Sequence, residues 1–154
     1  MNSPSPVTLI TGPTGFIGQR LVKALAAQDE TTRLLQRRNA TNNPTIIKCD
    51  LMDLRLDDAW FEGIQTVYHL AGYAHDLSNP SKVVMNYKRL NVDASLKLAE
   101  ASARAGAQTF VYVSSVKAAG SLNDGKPDGI YGETKREAED KLLAFGRKEG
   151  LKIV

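Results

Sequence analysis

Tyr131 and Lys135 stand four residues apart, so on a helix they share one face. An ammonium beside a phenol favours the phenolate and lowers its pKa. A tyrosine tuned in this way can pass a proton to and from a substrate oxygen. Ser114 and Ser115 close an apolar run at 109–114, and a serine hydroxyl at a strand end can hold that same oxygen. Far upstream, Gly12, Gly15 and Gly18 recur every third residue, between an apolar run and a helical pattern. That is phosphate-binding chemistry. Gly12 makes a tight turn, Gly15 lets backbone approach a pyrophosphate, and Gly18 lets helix pack on strand. The unpaired N–H groups and the positive dipole end of the helix complete the anion site. The spacing is G-x-x-G-x-x-G, not the G-x-G-x-x-G of the standard dinucleotide fingerprint.

Two further positions bear on a dinucleotide. After the second apolar run, an acid would bind a ribose 2′-hydroxyl and an arginine a 2′-phosphate. Arg37 and Arg38 stand there with no acid, which tilts toward NADP. They also read as solvated loop residues, or as a guanidinium lying over adenine, so NAD and NADP stay open. Asp50 and Leu51 follow the third run. Asp50 can accept from the adenine amino group with Leu51 beside the ring, but its spacing favours a turn cap.

Strands alternating with helices must position these groups. Apolar, β-branched runs predict strands at 7–11, 32–36, 45–49, 66–71 and 109–114. Ile17, Leu21 and Ala24 or Leu25 step at helical spacing from Gly15 to about Ala27. A short helix at most fits 57–62. A long helical pattern fills 81–105, stepping through Tyr87, Leu90 or Asn91, Ala94, Leu98, Ala101 and Ala105, with Gly106 placed to stop it. Residues 37–44 and 120–129 are loop-rich, and 130–147 is a helix closed by Gly150. The alternation implies an α/β fold, a Rossmann-type doubly wound parallel sheet. Residues 1–6 read as a flexible leader and 7–154 as one dinucleotide-binding domain. Residues 151–154 read as a sixth strand cut short, as in a fragment of a longer protein.

Composition excludes other classes. With 42% hydrophobic and 24% charged residues in 154, the chain can bury a core and is not disordered. The net charge of +3 is interspersed, too weak to imply nucleic acid or an anionic membrane. No apolar run reaches membrane-spanning length. Cys49 is the lone cysteine, which suits a reducing compartment, and the start lacks a signal-peptide pattern, so a cytoplasmic location is expected. Two histidines and one cysteine without ligand spacing argue against a metal site. His69, inside a strand, reads as a core or cofactor-lining residue. Tyr73 and His75 follow that strand and either face a nicotinamide or only cover it. Trp60 and Phe61 read as packing.

Taken in order, 11–18, Asp50-Leu51, His69-Leu70-Ala71-Gly72, Leu90-Asn91-Val92, Val111-Tyr112-Val113-Ser114-Ser115 and Tyr131-Gly132-Glu133-Thr134-Lys135 resemble the extended short-chain dehydrogenases/reductases of the NAD-dependent epimerase/dehydratase type. The resemblance implies that Gly12, Gly15, Phe16, Ile17 and Gly18 cradle the pyrophosphate and that Asp50 and Leu51 flank adenine. It implies that Ala71 and Gly72 line the cofactor. Ser115 matches the catalytic serine, Tyr131 the acid/base, Lys135 the residue that binds the nicotinamide ribose and tunes the tyrosine, and Asn91 the asparagine of the central helix. Within the family, Ser115-Val116-Lys117 looks most like nucleotide-sugar 4-epimerases, with Lys117 either near substrate or solvated. The resemblance also implies a homodimer and a later substrate domain absent from this sequence. Two alternatives accompany it: an NADP-dependent carbonyl reductase of the dihydroflavonol or aldehyde type, and a dinucleotide-sensing module without catalysis.

Overall fold

The computed structural model describes residues 7–38, 43–74, 80–120 and 125–154. The leader 1–6, His75 and the loop positions 121–124 lie outside the described residues. Among the described residues, six strands form one all-parallel sheet: β1 (Val7–Thr11), β2 (Thr31–Gln36), β3 (Ile46–Lys48), β4 (Ile64–His69), β5 (Thr109–Tyr112) and β6 (Lys152–Ile153). The spatial order is β3-β2-β1-β4-β5-β6. The order reverses between β1 and β4, and ligands of open α/β sheets bind outside the strand ends at such a switch point.

The helices are α1 (Phe16–Ala26), α2 (Pro80–Lys88), α3 (Ala94–Arg104), α4 (Val116–Ala119) and α5 (Gly129–Glu149). Right-handed crossovers running in opposite directions from β1 put α1 on one face and α3 and α5 on the other. α1 packs on β1 and β2, α3 on β4, and α5 on β6 and α3. The core between these layers is continuous. Leu9, Val67, Phe110, Leu98 and Leu142 are fully buried, and each such side chain contributes about 1.5–3 kcal/mol. β1 is buried along four consecutive residues, as expected of a parallel strand covered on both faces. Gly150, at φ 74°, ends α5 in the left-handed conformation. No helix among the described residues is long and apolar enough to cross a membrane.

Two expectations change and one element is added. The 81–105 pattern is not one α-helix: a wide π turn, Arg89–Asp93, separates α2 from α3. The turn falls where the apolar stepping was ambiguous between Leu90 and Asn91, and it buries both Asn91 and Val92. The fourth strand begins and ends two residues earlier than 66–71, because its last paired residue is His69, opposite Thr11. The 120–129 loop is preceded by α4, whose single turn is capped by Ser115. In addition, Ile17 is 51% exposed and does not join the core. The close seating of Gly18 holds the first turn of α1 at the sheet edge instead.

Candidate active site

The glycine turn is shaped by contacts that only glycine allows at two of its three positions. Gly12 has φ 68°, and a Cβ there would meet the Ala71 nitrogen at 2.9 Å. The exits of β1 and β4 therefore touch. A Cβ on Gly18 would sit 2.8 Å from the Pro13 Cα and closer still to the Gly12 carbonyl oxygen. Gly18 thus packs against the turn itself rather than against a strand. Gly15 differs. Its backbone is extended (φ −74°, ψ 173°), and a Cβ would meet only the Gly12 oxygen, at 3.4 Å. The protein's own packing does not demand glycine at 15.

Gly15 is the N-cap of α1, and no side chain caps that helix. Its first N–H groups are therefore left for another partner. An open glycine beside an uncapped helix start fits a pyrophosphate.

The turn borders a cleft of about 700 Å³, within the size range of ligand sites. Gly12, Thr14 and Gly15 line its centre, with Arg37, Arg38, Asp50 and Leu51 on one side and Ala71, Gly72 and Tyr73 on the other. Phe16, Ile17 and Gly18 are not among the lining residues. Phe16 is 75% exposed, its ring stacked against the Arg20 guanidinium at 3.7 Å. Asp50 behaves as a turn cap, accepting from the Met52 amide at 3.0 Å, while still lining the cleft. Cys49 also lines it, but burial and the charges of Asp50 and Asp53 push its thiol up to about 11, so it stays protonated.

An aromatic row leads from the Tyr73 end of the cleft to α5. The Tyr73 and Tyr87 rings meet edge to face at 5.0 Å, and Tyr87 meets Tyr131 at 6.1 Å. Tyr131 is half-buried near the start of α5. One turn on, Lys135 is 4% exposed. Its Nζ donates to the Val113 carbonyl at 2.6 Å and lies 3.9 Å from the centre of the Tyr112 ring. Burial pulls the ammonium from 10.5 down to about 8, and the Glu139 charge partly offsets this. Near neutral pH it is mostly charged.

Ser115, at the β5 exit, caps α4, the turn that packs on this helix. Its Oγ accepts from the Lys117 amide at 3.2 Å, which leaves its proton to donate elsewhere. Ser114 is engaged differently, donating to the Glu139 carboxylate. The α4 turn sits tightly on α5. A Cβ on Gly132 would lie 2.9 Å from the Lys117 carbonyl carbon. Arg136 Nε donates to the Ala118 carbonyl at 2.9 Å, and Lys117 pairs with Asp128 at 2.9 Å. Gly132 therefore lets the serine turn close against the helix that carries Tyr131.

Asn91 is buried and satisfied within the protein. Its Oδ1 accepts from the Tyr73 amide at 2.8 Å, and its Nδ2 reaches the Tyr73 carbonyl and Thr134 Oγ1, each at 3.2 Å. It ties the cleft's Tyr73 end to α5. At the other end of the same π turn, Arg89 donates to the Met52 carbonyl beside Asp50. His69 is core, between Thr11 and Ser95. The sequence assigns no role to Thr11 or Thr134, which only fall within the motifs quoted above, and none to Ser95 or Glu139. The available signals were small polar residues on otherwise apolar faces and, for Glu139, its i+4 spacing from Lys135.

Residues 8–154 match the family described as NAD-dependent epimerase/dehydratase. The chain belongs to that family. Among its members, the UDP-glucose 4-epimerase of Vibrio cholerae is 25% identical over 95% of this chain. The ceramide reductase of Caulobacter vibrioides is 32% identical over 90% of it. The chain spans 49% and 42% of those two proteins, about half their length or less. Among solved structures, MoeE5 in complex with UDP-glucose and NAD superposes with a TM-score of 0.77 at 32% identity, covering 95% of this chain and 51% of that one.

Proposed function

We propose that the chain carries the cofactor-binding and proton-transfer part of an NAD(P)-dependent nucleotide-sugar epimerase or dehydratase. The observation that carries this reading is the seating of α4 on α5. It brings Ser115 against the helix of Tyr131 and Lys135, at the same sheet edge as the glycine turn. The relatives that act on UDP-glucose, or bind it with NAD, support the substrate class. The family resemblance supports a homodimer, and the lone Cys49 supports a reducing compartment such as the cytoplasm.

Gly12, Gly15 and the open start of α1 would hold the pyrophosphate, Arg37, Asp50 and Leu51 the adenosine side, and Ala71, Gly72 and Lys135 the nicotinamide side. When bound, the cofactor supplies the hydride acceptor and donor. Ser115 donates to the reacting substrate oxygen and orients it. Tyr131 takes the hydroxyl proton from that oxygen and later returns it. Lys135 stands one turn after Tyr131 on α5, its ammonium held by the Val113 carbonyl, and brings a positive charge to the nicotinamide side of the site. Asn91 holds Tyr73 and α5 in register. Changing Tyr131→Phe in the full-length protein tests the assignment. NAD(P) affinity should stay within about twofold while turnover falls by roughly 10²–10⁴. Unchanged turnover would remove Tyr131 from the chemistry.

Arg37 and Arg38, with no acid at the β2 exit, favour a second reading: an NADP-dependent carbonyl reductase. Stoichiometry separates the two, since a reductase consumes reduced cofactor and an epimerase shows no net redox change.

A further inference from the structure

Two successive residues at the β5 exit are tied to two successive turns of α5. The Val113 carbonyl accepts from Lys135 Nζ at 2.6 Å, and the Ser114 hydroxyl donates to Glu139 Oε1. The next residue is Ser115. Its place relative to α5 is therefore set by the pair just upstream of it. Glu139 is half-buried, and Arg136 Nε lies 3.7 Å from its second oxygen, so its two oxygens face two different partners.

Lys135 needs a counter-charge. A buried ammonium that meets only a carbonyl and an aromatic face is costly to keep charged. From β4, the group facing it is His69, which burial holds neutral, pulled down to about 3 with the Lys135 charge adding to the effect. From β5 it is Tyr112, whose phenol burial pushes well above its ordinary value, so it too is neutral. On α5, Tyr131 stands one turn before and Glu139 one turn after. On α2, Tyr87 packs against Tyr131, while Lys88 pairs with Glu137, 3.8 Å away. Glu139 stands one turn on from Lys135 along the same face of α5, and the two bond successive residues of the β5 exit, which brings its carboxylate charge to bear on the ammonium.

We propose that Glu139 is a positioning residue for this site, clamping the Ser114–Ser115 strand end onto α5 and supplying the counter-charge of the Lys135 ammonium. The inference rests on the roles given above to Ser115 and Lys135. It adds a third side chain, which touches neither substrate nor cofactor and acts through both residues.

The test is the titration of the Lys135 side chain by NMR in the intact, isotope-labelled protein, with Lys135→Met to assign the signal. The wild-type midpoint should lie near 8. Glu139→Gln keeps an acceptor for Ser114 but removes the charge, and should lower the midpoint by roughly one pH unit. Ser114→Ala removes the clamp but keeps the charge, and should leave the midpoint within a few tenths of wild type. A folded Glu139→Gln protein with an unmoved midpoint overturns the proposal. If that variant does not fold, Arg136→Met decides. Removing the competing cation should raise the midpoint, and a midpoint that stays or falls overturns the proposal. The measurement needs neither cofactor nor substrate. A Tyr131→Phe protein with full turnover would therefore sink the functional reading without touching this titration.

Discussion

His69 Nε2 lies 2.8 Å from Ser95 Oγ, and that hydroxyl's proton is already donated to the Asn91 carbonyl at 2.7 Å. Ser95 must therefore accept, and the histidine carries its proton on Nε2. Nδ1 is left as an acceptor for Thr11 Oγ1, 2.7 Å away, which itself accepts from the Ala71 amide at 3.2 Å. In this hydrogen-bonded chain, each of Thr11 Oγ1, the two His69 ring nitrogens and Ser95 Oγ is satisfied while His69 is neutral. A second ring proton would point at a hydroxyl that is already donating. The chain runs from the glycine turn's strand to the π turn, where Asn91 continues it to Tyr73 and Thr134.

Acid should destabilise the protein through this histidine. Its folded pKa, about 3, lies below the ordinary 6.5 because burial disfavours the charge. Between those values the unfolded chain holds more protons, so stability is full above pH 6.5 and is lost as pH falls toward 3. From pH 6.5 to 4.5 the loss from this one group is on the order of 2–3 kcal/mol. Urea unfolding of the wild type and His69→Gln across that range checks it. The variant should start less stable but show a shallower slope, and equal slopes would refute the assignment.

Gly18 and Gly15 should separate into folding and binding roles. Gly18→Ala forces the new methyl into the Gly12 and Pro13 backbone and should cost about 1–3 kcal/mol. Gly15→Ala meets nothing closer than 3.4 Å and should change stability by less than about 0.5 kcal/mol. The same Gly15→Ala change should weaken dinucleotide binding at least tenfold, because the methyl fills the approach to the α1 start. Thermal melts and NAD(P) titration of both variants read the two effects. Undiminished affinity in Gly15→Ala would move the phosphate site elsewhere.

Replacing Arg37 tests the cofactor's 2′ position. If its guanidinium meets a 2′-phosphate, Arg37→Ala should lose about 1.5–3 kcal/mol of NADP affinity, at least tenfold, with NAD affinity changed little. Calorimetric titration of both dinucleotides into wild type and variant measures this. Equal losses for both would instead fit a guanidinium lying over the adenine ring.

Much of this site was legible in the sequence because its signals are local. Apolar runs and helical stepping place β1, α1, β5 and α5. The Gly12-Gly15-Gly18 spacing needs only its neighbouring strand and helix to be read as an anion turn. The four-residue step puts Tyr131 and Lys135 on one helix face wherever α5 lies. Other features are not local. His69 bonds residues 58 positions before it and 26 after it, and Asn91 meets Thr134 43 positions on. No periodicity encodes such pairings. They exist because β4 lies beside β1, and because the π turn buries Asn91 where a regular helix would have offered either Leu90 or Asn91. The tertiary structure likewise exposes Phe16 and Ile17, seats α4 on Gly132, and gives Glu139 to Ser114. Each outcome depends on which elements meet at the sheet edge and on how closely backbone can approach there, and hydrophobic spacing carries neither.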